Sequence, residues 1–166
     1  MKTSQEKPIK VLFVCWGNIC RSPSAEAVMN AYIEKAGLND KIECDSAGTI
    51  SYHNGEPADS RMQSHAIKRG YQLTSISRQV VPRDFDEFDY IIGMDNSNIS
   101  NMEPFMLKAE DALRVSKMTD YCSLPNPGKV PDPYYGGAEG FEKVLDLLED
   151  ACNGLLQKIK EENNIE

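Results

Sequence analysis

The sequence predicts an α/β fold, a parallel sheet covered by helices on both faces, and three observations carry that expectation. Short β-prone runs alternate with helix-forming ones along the chain, which is how parallel βα units are written in sequence. The first run, Val11-Leu12-Phe13-Val14, is apolar throughout, as a strand buried on both faces must be. The chain then closes on a long amphipathic stretch, Gly140 to Lys160. At 166 residues the chain has the length of one domain with a substantial core, so residues 1–166 are expected to form a single domain. Met1 to Pro8 is polar and expected to fray.

The elements can be placed in order. Lys10 to Val14 reads as the first strand and Pro23 to Ala36 as the first helix, with Val28, Tyr32 and Ile33 on one face and Gly37 as its stop. Lys41 to Asp45 is a second strand, after which Ser46-Ala47-Gly48-Thr49 is expected to turn. Pro57 to Arg69 reads as a helix ended by Gly70; His65 within it is expected to be packed or surface-lying. Gln72 to Gln79 is irregular, and Pro82-Arg83-Asp84-Phe85 suggests a helical turn. Tyr90 to Met94 is a third strand; Asp95 at its end either caps the next helix or serves a site, with the cap preferred. Glu103 to Leu113 is expected to be helical and Val115 to Met118 to be a fourth strand. In the last helix Phe141, Val144, Leu145, Leu148, Cys152, Leu155, Leu156 and Ile159 keep a 3.6-residue period and should face the sheet, which makes Cys152 packing.

One stretch concentrates chemistry. After the first strand come Cys15, five residues, Arg21-Ser22 and then Pro23, a residue suited to the first turn of a helix. Gly17 and Asn18 tolerate left-handed backbone angles, so successive N–H groups can converge as an anion nest. The helix N-terminus adds free donors and partial positive charge. Arg21 supplies a planar fork that matches phosphate oxygens. Cys15 faces this positive field, which favours its thiolate, and the Ser22 hydroxyl can donate to the sulfur.

The spacing resembles the phosphate loop of cysteine-dependent phosphatases. The fuller run Cys15-Trp16-Gly17-Asn18-Ile19-Cys20-Arg21-Ser22-Pro23-Ser24-Ala25-Glu26, near the N-terminus, resembles the low-molecular-weight protein tyrosine phosphatase family, the second cysteine included. The resemblance spans essentially the whole chain and implies a flavodoxin-like fold with four strands ordered 2-1-3-4. It implies hydrolysis of phosphotyrosine and other aryl phosphates, with Cys15 as nucleophile, Arg21 and the loop Trp16, Gly17, Asn18, Ile19, Cys20 and Ser22 binding the phosphate, and no metal or cofactor. It makes Ser46 the hydroxyl that bonds Asn18, and Tyr52 a wall of the substrate pocket beside Trp16; an exposed loop aromatic is the alternative for Tyr52. Many relatives carry a histidine near Ser75 that also holds the loop asparagine, so the shorter serine leaves the bracing of the loop open.

Lys129-Val130-Pro131-Asp132-Pro133-Tyr134-Tyr135 is the second chemical stretch. The two prolines hold Asp132 in a stiff extended turn. Attack by Cys15 on a phosphate ester needs an acid for the leaving oxygen and then a base for water. Asp132-Pro133-Tyr134-Tyr135 resembles the family's general-acid loop, with both tyrosines as pocket wall. Cys20, so near Cys15 in the chain, suggests a reversible disulfide that shields the nucleophile under peroxide.

Other readings are weaker. Cys15 and Cys20 as metal ligands lack a second close Cys/His pair. A phosphate binder without chemistry would have no use for Asp132. Arsenate reduction on the same fold needs further cysteines, and residues 70–94 contain none. Protein-arginine phosphatases resemble this family but typically carry threonine where Ile19 stands. The net charge of −8 argues against nucleic acid as partner. Five cysteines in no disulfide framework fit a reducing cytoplasm, and no apolar run is long enough for a signal peptide or membrane span. The expected partners are phosphotyrosine proteins or small aryl phosphates, and the expected state is a monomer.

Overall fold

The computed structural model describes residues 7–123, 128–134 and 136–166. Four strands form one sheet in the order β2-β1-β3-β4, every pair parallel. They are β1 (Ile9–Cys15), β2 (Ile42–Gly48), β3 (Tyr90–Gly93) and β4 (Val115–Lys117). The helices are α1 (Arg21–Lys35), α2 (Ser60–Ile67), α3 (Asp84–Glu87), α4 (Asn96–Met102) and α5 (Ala138–Glu162).

Side-chain alternation on β1 divides the core in two. Ile9, Val11, Phe13 and Cys15 face α1 and α5, meeting Val28, Met29, Ile33, Leu145, Leu148 and Cys152. Leu12 and Val14 face the other way, against Phe85 of α3, Phe88 just after it, Ile91 of β3 and Met102 of α4. From Val11 to Val14 the strand feeds both cores and has no polar position, which is why that stretch is a continuous apolar run; Lys10, near its start, is only partly buried. Helix α5 packs so tightly that a Cβ on Gly154 would lie within 1.9 Å of the Tyr121 carbonyl oxygen.

The expected architecture and strand order are both present. Two local expectations are corrected. Ser46, Ala47 and Gly48 do not turn but finish β2, paired to Phe13, Val14 and Cys15 of β1. The strand runs on because segment 77–80 lies along its end: Gly48 N–H donates to the Arg78 carbonyl and Val80 N–H to the Gly48 carbonyl, each at 2.8 Å. Glu103 to Leu113 is not one helix. The helix comes earlier, as α4, and the remainder is two 3-10 segments, Glu103–Phe105 and Ala109–Arg114, parted by extended residues. Asp95 supplies the start signal for α4, its Oδ1 accepting from Asn98 N–H at 2.8 Å, and Pro104, with no N–H, suits only a fresh N-terminal turn.

The carboxyl ends of β1 and β3 lie side by side, Val14 opposite Gly93, and the loops after them meet above the sheet. That is where open parallel sheets keep their sites.

Candidate active site

The loop from Cys15 to Arg21 is held by its own carbonyls. Trp16 C=O accepts from Thr49 N–H at 3.0 Å and Ile50 N–H at 3.2 Å, and Ile19 C=O from Asp59 N–H at 2.8 Å. Gly17 C=O accepts from the Ser77 hydroxyl at 2.9 Å, and Cys20 C=O from the Ser24 hydroxyl at 2.7 Å. Each carbonyl is thus tied to the surrounding scaffold. Across a trans peptide the next N–H points the opposite way, so the amides of Gly17, Asn18, Cys20 and Arg21 turn toward the enclosed space. Asn18, at φ +57°, makes the left-handed step that curls the loop. Gly48 lets it settle on the sheet, since a Cβ there would stand 2.9 Å from the Trp16 oxygen and 3.1 Å from the Asn18 nitrogen. The result is a ring of amide donors at the N-terminus of the 15-residue helix α1, a cradle for a tetrahedral anion.

Cys15 ends β1, buried, with Sγ 3.0 Å from the Ser22 hydroxyl. Asn18 Nδ2 donates to that hydroxyl at 2.8 Å, and the hydroxyl is also within 3.3 Å of the Ala47 carbonyl. Ser22 has one proton to give. It can donate to the Ala47 oxygen while Cys15 is a thiol and to Sγ when Cys15 is a thiolate.

Arg21 is 2% exposed. Its Nη1 donates to Asp95 Oδ2 at 2.7 Å and to the Val130 carbonyl at 3.2 Å, while Nη2 lies 3.6 Å from Asp132 Oδ2. Burial works against its charge, but Cys15, Asp95 and Asp132 outweigh that and push its pKa up. Asp95 therefore does both things expected of it as alternatives, capping α4 with one oxygen and holding Arg21 with the other. Asp132 is partly exposed on the loop between Pro131 and Pro133, its Oδ1 accepting from Tyr134 N–H at 3.1 Å. Cys15, Trp16, Gly17, Ile19, Cys20, Arg21, His53, Asp132 and Tyr134 line one cavity of about 290 Å³.

Two sequence expectations change here, and one open point closes. Ser46 does not bond Asn18; its hydroxyl donates to Glu26 at 2.6 Å, and the Asn18 side-chain Oδ1 accepts from Arg78 N–H at 3.0 Å instead. The backbone of segment 77–80, already clamped to β2, reaches the asparagine. Tyr52 is not a wall of this cavity. It is 80% exposed and sits edge-on to His53, which takes the wall position. His53 Nδ1 is 3.1 Å from Glu56, and that contact turns the ring inward. The buried Ser75 hydroxyl has no partner among the described residues, so the bracing passes to Ser77 and Arg78. Tyr135 lies outside the described residues. Burial pushes the Cys20 thiol well up, with the charges of Asp59, Cys15 and Asp132 adding to it. Sequence reasoning missed His53, Ser77, Arg78 and Asp59. Their signal is tertiary, because each meets the loop from another segment.

Among the described residues no group of three or more His, Cys, Asp or Glu is arranged to hold a metal ion. No helix there is long and apolar enough to cross a membrane.

A buried cysteine at the foot of an amide cradle, a buried guanidinium and an overhanging carboxyl are an arrangement suited to a phosphatase, and comparison with known proteins gives the family. Residues 10–165 match the family model described as low molecular weight phosphotyrosine protein phosphatase. A low molecular weight protein-tyrosine-phosphatase from Streptomyces coelicolor is 41% identical over 155 residues, covering 92% of this chain and 94% of that protein. The crystal structure of a protein tyrosine phosphatase from Entamoeba histolytica superposes with a TM-score of 0.90 at 51% identity, over 93% of this chain and 99% of that one. A Drosophila arginine phosphatase structure superposes at 0.85 with 33% identity, over 92% and 98%. The chain belongs to the low molecular weight phosphotyrosine protein phosphatase family.

Proposed function

We propose that the protein hydrolyses phosphotyrosine in proteins, and aryl phosphate monoesters generally, through a phosphocysteine on Cys15. The observation that carries the reading is the convergence of Cys15, Arg21 and Asp132 on one cavity. The Cys15 thiolate attacks phosphorus, the S–P bond forms and the P–O(aryl) bond breaks. Asp132 gives its proton to the leaving oxygen. Arg21 and the amides of Gly17, Asn18, Cys20 and Arg21 hold the equatorial oxygens, where charge is spread in the transition state. Asp132, now a carboxylate, takes a proton from water, which cleaves the S–P bond, and Ser22 donates to the departing thiolate. Trp16, Ile19, His53 and Tyr134 form the walls around the aryl ring. Ile19, an aliphatic wall, suits a flat ring better than a charged guanidino group, which favours the tyrosine reading over the arginine one.

Cys20 gives the same site a redox role. Peroxide converts the Cys15 thiolate to a sulfenic acid with loss of hydroxide, and Cys20 sulfur then displaces water to close a disulfide, which a thiol reductant reopens. The elevated pKa of Cys20 slows that second step. The five free cysteines suit a reducing cytoplasm, and the protein acts as a monomer without a cofactor.

The test is turnover of p-nitrophenyl phosphate against pH with EDTA present. Wild type should be active and Cys15→Ser inactive, still binding phosphate; on phenyl phosphate, whose leaving oxygen needs the proton, Asp132→Asn should lose about 100-fold or more. Phosphate binding without turnover in wild type would leave a non-catalytic binder as the better reading.

A further inference from the structure

Asp132 stands on a loop fastened at both ends. On one side Val130 N–H donates to the Met94 carbonyl at 3.0 Å, and the Val130 carbonyl accepts from Arg21 Nη1 at 3.2 Å. On the other side the fastening is Arg61, in the first turn of α2. Its Nη2 donates to the Tyr134 carbonyl at 3.0 Å. The guanidinium carbon lies 5.3 Å from the Tyr134 ring centroid and 5.1 Å from that of Phe141. The same guanidinium is forked onto Asp59, Nε to Oδ1 at 3.2 Å and Nη2 to Oδ2 at 2.9 Å.

Asp59 belongs to the phosphate loop's scaffold. Its N–H holds the Ile19 carbonyl at 2.8 Å, and its Oδ1 caps α2 at Arg61 and Met62. A continuous path therefore runs from Ile19 through Asp59 and Arg61 to Tyr134, whose N–H holds Asp132 Oδ1 at 3.1 Å. Arg61 lines no part of the cavity, and its side chain is 47% exposed.

We infer that Arg61 is a positioning residue for the reaction. By tying the Tyr134 carbonyl to the Asp59 carboxylate, it fixes the acid loop over the phosphate loop and sets where the Asp132 carboxyl stands relative to the leaving oxygen. The inference rests on Asp132 being the general acid. Only arginine meets the demand, because a planar fork can pair with a carboxylate and still aim an N–H at a carbonyl; a lysine ammonium has neither the fork nor the flat face for Tyr134.

A displaced acid has a specific kinetic signature. p-Nitrophenolate leaves as a stable anion and needs little protonation. Phenolate, with a pKa of about 10 like tyrosine, needs the proton. For Arg61→Gln and Arg61→Lys, kcat/KM on phenyl phosphate should fall about tenfold, since a misplacement near 1 Å suffices for losses of that order. On p-nitrophenyl phosphate both should lose less than about twofold, and inhibition by inorganic phosphate should stay within about twofold of wild type, because the cradle is intact. Asp132→Asn is measured alongside and should show the same selectivity, more strongly. If Asp132→Asn is selective while both Arg61 variants lose equally on the two substrates, or lose nothing, Arg61 does not position the acid. If Asp132→Asn itself shows no selectivity, the acid assignment fails and the inference falls with it.

Discussion

Glu26 is a carboxyl in the wrong place for a charge, and that makes stability depend on pH in a specific way. It lies on α1 facing β2, where burial, above all, pushes its pKa up to about 7 from the usual 4.5, with Asp45 adding to the rise and the Ser46 hydrogen bond and Arg78 opposing it. The folded protein therefore holds a proton on Glu26 between about pH 4.5 and 7 that the unfolded chain has released. Stability is greatest below the unfolded value, falls as pH rises through that window, and stays lower above it. At about 1.4 kcal/mol per tenfold change in proton affinity, the ceiling on the loss is about 3 kcal/mol; residual solvent access to the side chain brings the expectation to about 2 kcal/mol. Glu26→Gln keeps the acceptor for Ser46 and the shape but cannot ionise. Urea unfolding should give wild type and variant nearly equal stabilities at pH 5, and the variant ahead by about 2 kcal/mol at pH 8, with unchanged m-values. A constant offset at both pH values, or a wild type that gains on the variant as pH rises, would refute the reasoning.

Two further substitutions probe the loop. Ser22→Ala removes the hydroxyl that joins Cys15, Asn18 and Ala47; it should cost about 1–3 kcal/mol in thermal or urea melts, from the unpaired buried groups, and lower kcat by at least about tenfold with little change in KM, as removal of a transition-state donor does. Gly48→Ala drives a methyl into the Trp16 and Asn18 backbone; it should destabilise by about 1–3 kcal/mol and weaken phosphate inhibition by lifting the loop from the sheet.

The phosphate loop was legible because it is local. Cys15 and Arg21 stand six positions apart, and one strand and one helix place them. The strand order came with the family resemblance. What the sequence hid is what folding brings from afar. Segment 72–79 reads as irregular and is irregular, yet its edge contact with Gly48 delivers Ser77 and Arg78 to the loop. Ser46 was expected to meet Asn18, but β2 runs three residues further than its sequence suggests and aims the hydroxyl at Glu26. Tyr52 and His53 are neighbours in a turn, and which of the two faces the cavity depends on Glu56 holding the histidine, a choice that composition does not encode.

The charges around the cavity also correct a simple picture of a positive pocket on an acidic body. Arg21 is the cation lining the cavity, and Asp95, Asp132 and Cys15 all lie close enough to bear on its charge. The anion is therefore attracted mainly by the amide ring and the start of α1, while an ionised Asp132, 3.6 Å from Arg21, competes with it for the guanidinium. A protonated Asp132 does not compete, so anion binding selects the form that the proposed acid role requires. Sulfate, a dianion at every pH used, isolates the effect. At one fixed pH, Asp132→Asn, which lacks the competing charge, should be inhibited by sulfate more strongly than wild type. Equal or weaker sulfate inhibition in the variant would show that Asp132 does not compete for the Arg21 guanidinium.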